Sequence, residues 1–131
     1  MRLLLDTHIA LWAVVDDPRL PATARGLIAD PANDIVTSAA NIWEIAIKHA
    51  LARGSPNDMP VSAHKALDLF RASGYEVLDI MPPHVLMLET LPPLHGDPFD
   101  RMLVAQALAE PLRLLTHDAR IARYSDTVIL V

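Results

Sequence analysis

A chain of 131 residues is long enough to bury one core and too short for two, so residues 1–131 are read as a single domain. Its 52% hydrophobic content excludes a disordered tail, and the absence of cysteine excludes a disulfide framework, a thiolate zinc site and a cysteine nucleophile, which fits a reducing cytoplasm. The net charge of −5 argues against a broad basic surface for nucleic acid, yet a cluster of metal-binding carboxylates would give the same balance.

Leu3-Leu4-Leu5 has the unbroken apolarity of a central parallel strand and stops at Asp6, which places that carboxylate at the strand's C-terminal tip. Asp6 and His8 also interrupt the run before it reaches the length of a secretory signal, and no later run could span a bilayer. A helix is expected from Thr7 to Val15, broken by Asp16-Asp17-Pro18, and a second from Pro21 to Ala29. Ile35 to Thr37 reads as a β-branched strand feeding Ser38, the N-cap of a helix from Ala39 to Ala52, which the loop residues Gly54-Ser55-Pro56-Asn57-Asp58 end. Ser62 caps a helix from Ala63 to Ala72 closed by Gly74, and Tyr75 to Ile80 is strand-like. Pro82-Pro83 opens a helix toward Leu91, and Asp97-Pro98 opens another that ends at Glu110-Pro111. Leu112 to Leu115 is a strand, Asp118 to Tyr124 a short helix and Thr127 to Val131 a last strand. Strands alternating with helices imply an α/β fold, a mainly parallel sheet flanked by helices, with the strands' C-terminal ends on one edge.

Each acid has a plain structural explanation beside a chemical one. Asp6 suits an N-cap, and Glu44 lies one turn before Lys48, the spacing of a solvated ion pair, although the neighbours Trp43, Ile45, Ala46 and Ile47 suggest that much of this helix is buried. Asp97 is well explained as an N-cap. Asp100 shares the face of Leu103, Val104 and Ala107, and an inward acid is the better ligand candidate. Asp118, after Leu114-Leu115-Thr116-His117, fits a helix cap and a ligand equally well. The six histidines form no HxxxH or HxH pair, and His8, His95 and His117 are read as ordinary polar side chains. No GxSxG, Walker or GxGxxG motif appears. The remaining chemistry is carboxylate, whose oxygens suit Mg²⁺ or Mn²⁺, ions that make water nucleophilic and stabilise charge on a phosphate.

Four segments together carry a resemblance: Leu3 to His8, Ser38 to Lys48, Asp97 to Ala107 and Leu114 to Asp118. The chain resembles the PIN-domain ribonucleases, in particular VapC-type toxins of bacterial type II toxin-antitoxin pairs, from Arg2 to Val131. The resemblance implies a PIN-like α/β/α sandwich, a divalent metal (Mg²⁺ or Mn²⁺), cleavage of RNA phosphodiesters, a homodimer and a small VapB-like antitoxin. By motif position it assigns catalytic and metal-binding roles to Asp6, Glu44, Asp100 and Asp118, with Asp97 beside the third motif. Ile121 departs from the aromatic residue more usual after the last acid. Thr7 and Thr116 are candidates to orient ligands or water, and Lys48, Arg101 and Arg120 to meet the RNA backbone, against the commoner reading of such cations as surface charge. Two other classes stay open: a PIN-like scaffold that binds RNA or protein without cutting, and a phosphoacceptor signalling domain. The second is disfavoured, because such a domain needs an acceptor Asp after its third strand, where Pro82-Pro83 follows.

Overall fold

The computed structural model describes residues 1–52, 54 and 59–131, so Ser55 to Asp58 of the expected loop lie outside the described residues. Five strands, β1 (Arg2–Leu5), β2 (Asp34–Ser38), β3 (Glu76–Leu78), β4 (Arg113–Thr116) and β5 (Val128–Leu130), form an all-parallel sheet in the order β3-β2-β1-β4-β5. The chain moves outward from β1 through β2 to β3, then crosses to the other side of β1 for β4 and β5. The point of reversal is therefore the gap between β1 and β4, where open α/β sheets form their crevice.

Side chains alternate across a strand, and this period divides the core in two. Leu3, Leu5, Ile35 and Leu115 meet α1 (Thr7–Val14), α2 (Ala22–Ala29), α3 (Ala39–Ala50) and α4 (Ala63–Ala72), through Ile9, Ala24, Ile45 and Phe70 among others. Leu4, Val36 and Leu114 meet α6 (Pro98–Ala109) and α7 (Ala119–Ala122) on the opposite face, where Leu103, Val104 and Ile121 are buried. The result is the α/β/α sandwich, and Ile121 fills the core without an aromatic ring.

Several ends differ from the sequence reading. Gly74 takes φ of 78°, its N–H bonds the Arg71 carbonyl and the Tyr75 N–H bonds the Phe70 carbonyl, so Tyr75 belongs to the termination of α4 and stacks on Phe70; β3 starts one residue later. Leu112 likewise spends its N–H on the Ala107 carbonyl at 2.7 Å, closing α6 and delaying β4 by one residue. The helix opened by Pro82 is α5 (Pro82–Met87), which tightens into a 3₁₀ turn at Leu88–Thr90. Helix α3 buries less than expected: Ala40, Asn41, Glu44 and Ile45 face inward, while Trp43 and Ile47 are 48% and 39% exposed. Three spaced apolar residues, Trp43, Ile47 and Leu51, thus form an outward stripe.

Candidate active site

Asp6 ends β1 with its backbone N–H on the Leu115 carbonyl of β4, which fixes it at the point of reversal. Its Oδ1 accepts from the Thr7 N–H at 2.7 Å as an N-cap, and its Oδ2 accepts from Thr116 Oγ1 at 2.7 Å. Thr116 in turn accepts from the Asp118 N–H at 3.0 Å, so one hydroxyl ties the ends of β1 and β4 together. Glu44, 3% exposed, accepts from Thr7 Oγ1 at 2.5 Å and from Lys48. The predicted ion pair with Lys48 therefore forms, but with its carboxylate buried.

At the start of α6 the two aspartates divide. Asp97 Oδ1 accepts from the N–H groups of Phe99 and Asp100, both at 2.9 Å, and is the N-cap. Asp100 is 8% exposed and faces His95, whose Nε2 lies 3.1 Å from its Oδ2. Arg101 donates to Tyr124 Oη at 2.9 Å, and Tyr124 Oη lies 2.7 Å from His95 Nδ1, so a chain of polar contacts runs from Arg101 through Tyr124 and His95 to Asp100. Arg101, a candidate RNA contact, instead heads this chain and bonds the Pro92 carbonyl. Asp118 caps α7 through the Arg120 N–H at 2.9 Å and is held by the Arg120 guanidinium at 3.1 and 2.8 Å.

Asp6, Glu44, Asp97, Asp100 and Asp118 line one cleft of about 190 Å³ together with His8, Lys48, His117 and Arg120. A larger hollow of about 440 Å³ lies at the opposite, N-terminal ends of β1 to β3, where Arg2 is already bonded to Glu76 at 2.6 Å. The smaller cleft is the better candidate, since it alone sits at the strands' C-terminal edge and gathers acids from four separate segments.

Its electrostatics are those of crowded anions. Burial, and then the charges of Asp6, Asp97, Glu44 and Asp118, push the Asp100 carboxyl up to about 8. Burial likewise raises Asp6, against the hydrogen bonds from Thr116 and Thr7. Asp118 is lowered by its bond to Arg120. For Lys48, burial opposes the charge, but Glu44, with Asp97 and Asp100 behind it, outweighs burial and keeps the ammonium above its ordinary value. Among the described residues, no three acid or imidazole groups are gathered closely enough to be a ready-made metal site. The donor chemistry nonetheless fits a hard divalent cation: five carboxylates line one cleft, and two of them, Glu44 and Asp118, are held by the chain's own cations.

Behind the cleft runs a buried polar chain of which the sequence reading found Thr7 and Ser38 but not Asn41 or Gln106. Asn41 donates to Thr7 Oγ1 at 2.9 Å and to the Leu5 carbonyl at 3.2 Å, and accepts from the Ser38 N–H at 2.7 Å. Ser38 Oγ donates to Gln106 Oε1 at 2.5 Å. Gln106 is fully buried and also donates to the Asp79 carbonyl at 3.3 Å. The S-x-x-N spacing of a capping box was a usable signal for Asn41, as was a glutamine within the apolar run of α6 for Gln106.

A family model for the PIN domain matches residues 3–126, and the chain belongs to the PIN domain family. PIN domains are generally nucleases that use divalent metal ions. Among solved structures, VapBC2 from Rickettsia felis bound to a DNA fragment from their promoter is similar over 100% of this chain and 98% of that one, with a TM-score of 0.68 and 18% identity. FitAcB from Neisseria gonorrhoeae matches with a TM-score of 0.64 and 16% identity, covering 98% of this chain and 96% of that one. A domain of a functionally unknown protein from Methanocaldococcus jannaschii matches at 0.58 and 14%, over 99% of this chain and 90% of that one. At such identities the likeness concerns the fold. Comparison with curated proteins finds no match. Among the described residues, no helix is long and apolar enough to cross a membrane.

Proposed function

We propose that this chain, as a single PIN domain, is a metal-dependent endoribonuclease and the toxin of a toxin-antitoxin pair. The observation that carries the reading is the meeting of Asp6, Glu44, Asp100 and Asp118 in one cleft at the point where the strand order reverses. These four would hold Mg²⁺ or Mn²⁺. A divalent ion supplies Lewis acidity there, lowering the pKa of water and offsetting charge on the phosphate. The chain's own residues provide the setting: Thr116 fixes Asp6 against Asp118, Thr7 and Lys48 orient Glu44, and His95 aims Asp100. Lys48 and Arg120, at the cleft and partly exposed, are the cations nearest a bound phosphate.

A small VapB-like antitoxin as partner is supported by the resemblance to VapC-type toxins and by the shared fold with VapBC2 and FitAcB. A homodimer is supported by apolar side chains left in water on α3 and at its C-cap (Trp43, Ile47, Leu51) and on α5 (Val85, Leu86). A cytoplasmic location follows from an RNA substrate. The test is incubation of purified protein with total cellular RNA, with Mg²⁺ or Mn²⁺ and with chelator, followed by mapping of the cut ends. Cuts that need the metal support a nuclease; RNA that is bound and left intact under every condition would identify a non-cutting scaffold.

A further inference from the structure

Beside the acids, two walls of the cleft are imidazoles that also belong to a second assembly. His8 and His117 line the cleft, and their rings lie 5.6 and 5.0 Å from the Trp12 indole and 6.4 Å from each other. His8 and Trp12 share a face of α1, being four residues apart, while His117 arrives from the end of the neighbouring β4. Beyond them the Arg19 guanidinium sits 5.3 Å from the Trp12 ring centre, anchored to Asp17 at 2.8 Å. The row runs outward from the acids: the two imidazoles, then the indole, then the guanidinium. His117 and Arg19 are exposed, and His8 and Trp12 are half-buried.

Core packing explains why part of Trp12 is buried, since it rests against the cluster around Ile9, but not why three polar π groups gather around its ring. Charge supplies a reason. With a net charge of −5, and with Lys48 and Arg120 bonded to Glu44 and Asp118, the chain's own cations at the cleft are already engaged, so contacts to the bases would add to what the phosphates supply. Unpaired bases offer neutral π faces, which stack on aromatic rings and guanidinium planes without regard to the acids nearby. We propose that His8, His117, Trp12 and Arg19 form a stacking platform for unpaired bases beside the cleft, so that the RNA is held single-stranded next to the cut. This rests on the ribonuclease reading and adds to it the side chains that would take the bases. A duplex hides its base faces and cannot use the platform.

The two tryptophans of the chain are Trp12 and Trp43, so in a Trp43→Phe background Trp12 is the sole indole reporter. Uncleavable 2′-O-methyl RNA, single-stranded or annealed to its complement, is titrated in with Mg²⁺ present. The single strand is expected to quench Trp12 emission saturably and the duplex to leave it unchanged. Trp12→Leu and, independently, the exposed His117→Ala are expected to weaken single-strand binding about tenfold, with Trp12→Phe restoring most of it. The metal-induced rise in melting temperature stays, because the four acids remain. Folded Trp12→Leu and His117→Ala proteins that bind single strands as wild type does, or a duplex that binds equally well, would overturn the platform and leave the nuclease reading standing. Binding of neither RNA by the unsubstituted protein would overturn both.

Discussion

Asp97 and Asp100 stand three residues apart at one helix start, yet they meet different surroundings. Asp97 serves two backbone N–H groups, whereas Asp100 is buried among anions that raise its carboxyl to about 8. Asp100→Asn is therefore expected to abolish RNA cleavage while stabilising the metal-free fold. Asp97→Asn keeps an acceptor oxygen and should retain cleavage, and Asp97→Ala should cost about 0.5–2 kcal/mol in urea denaturation by removing the cap. Equal loss of activity in folded Asp97→Asn and Asp100→Asn proteins would show the division to be wrong. The inward direction of Asp100 was legible, because it shares the period of Leu103, Val104 and Ala107. Its partner His95 was not: no spacing rule predicts that a loop histidine turns back onto a helix, and Tyr124, which orients it, is 29 residues away.

At the scale of elements, local chemistry marked starts better than ends. Ser38 was readable as a cap because its hydroxyl serves the helix that follows it, accepting from the Ala40 N–H at 3.0 Å. Its second bond, to Gln106, joins residues 68 apart and exists only once β2 and α6 are neighbours. Ser38→Ala should thus cost more than an ordinary cap, about 2–3 kcal/mol, since it also leaves a buried glutamine oxygen without its donor; a loss below 1 kcal/mol in chemical denaturation would discount that bond. Gly74→Ala should cost about 1–2 kcal/mol from backbone conformation alone, because φ is 78° and nothing lies within 4 Å of an added Cβ. The outward stripe of α3 was misread for a physical reason. Apolar composition does not say whether a helix face meets the core or a partner.

For the whole molecule, the convergence of four acids depends on the strand order, which the alternation of strands and helices implied only in outline. Its cost appears in the pH dependence. An acid whose pKa is raised by folding keeps its proton in the fold and loses it in the unfolded chain, so stability falls as pH rises from the unfolded value of 3.8 toward the folded value of about 8. His8, lowered chiefly by burial, acts in the opposite sense, but only below its unfolded value of 6.5. Between pH 6.5 and 8 the acids act without it, and the metal-free protein should lose on the order of 1 kcal/mol. Light scattering at micromolar concentration should give the mass of a dimer; a monomer mass would leave the apolar stripe of α3 unexplained.

The central claim, that these acids form one cation site, is tested most directly by the rise in melting temperature on adding Mn²⁺ at pH 7.5 to the wild type and to Asp6→Asn, Glu44→Gln and Asp100→Asn. A cation that binds only the fold adds about 2.7 kcal/mol at a hundredfold excess over Kd, and it competes with protons for the same oxygens. The wild type should therefore show a clear rise that shrinks at lower pH, and each variant should lose most of it, while the metal-free melting temperature holds or increases in Asp6→Asn and Asp100→Asn, the two acids that folding raises. A rise that is the same in wild type and in all three variants would contradict the claim.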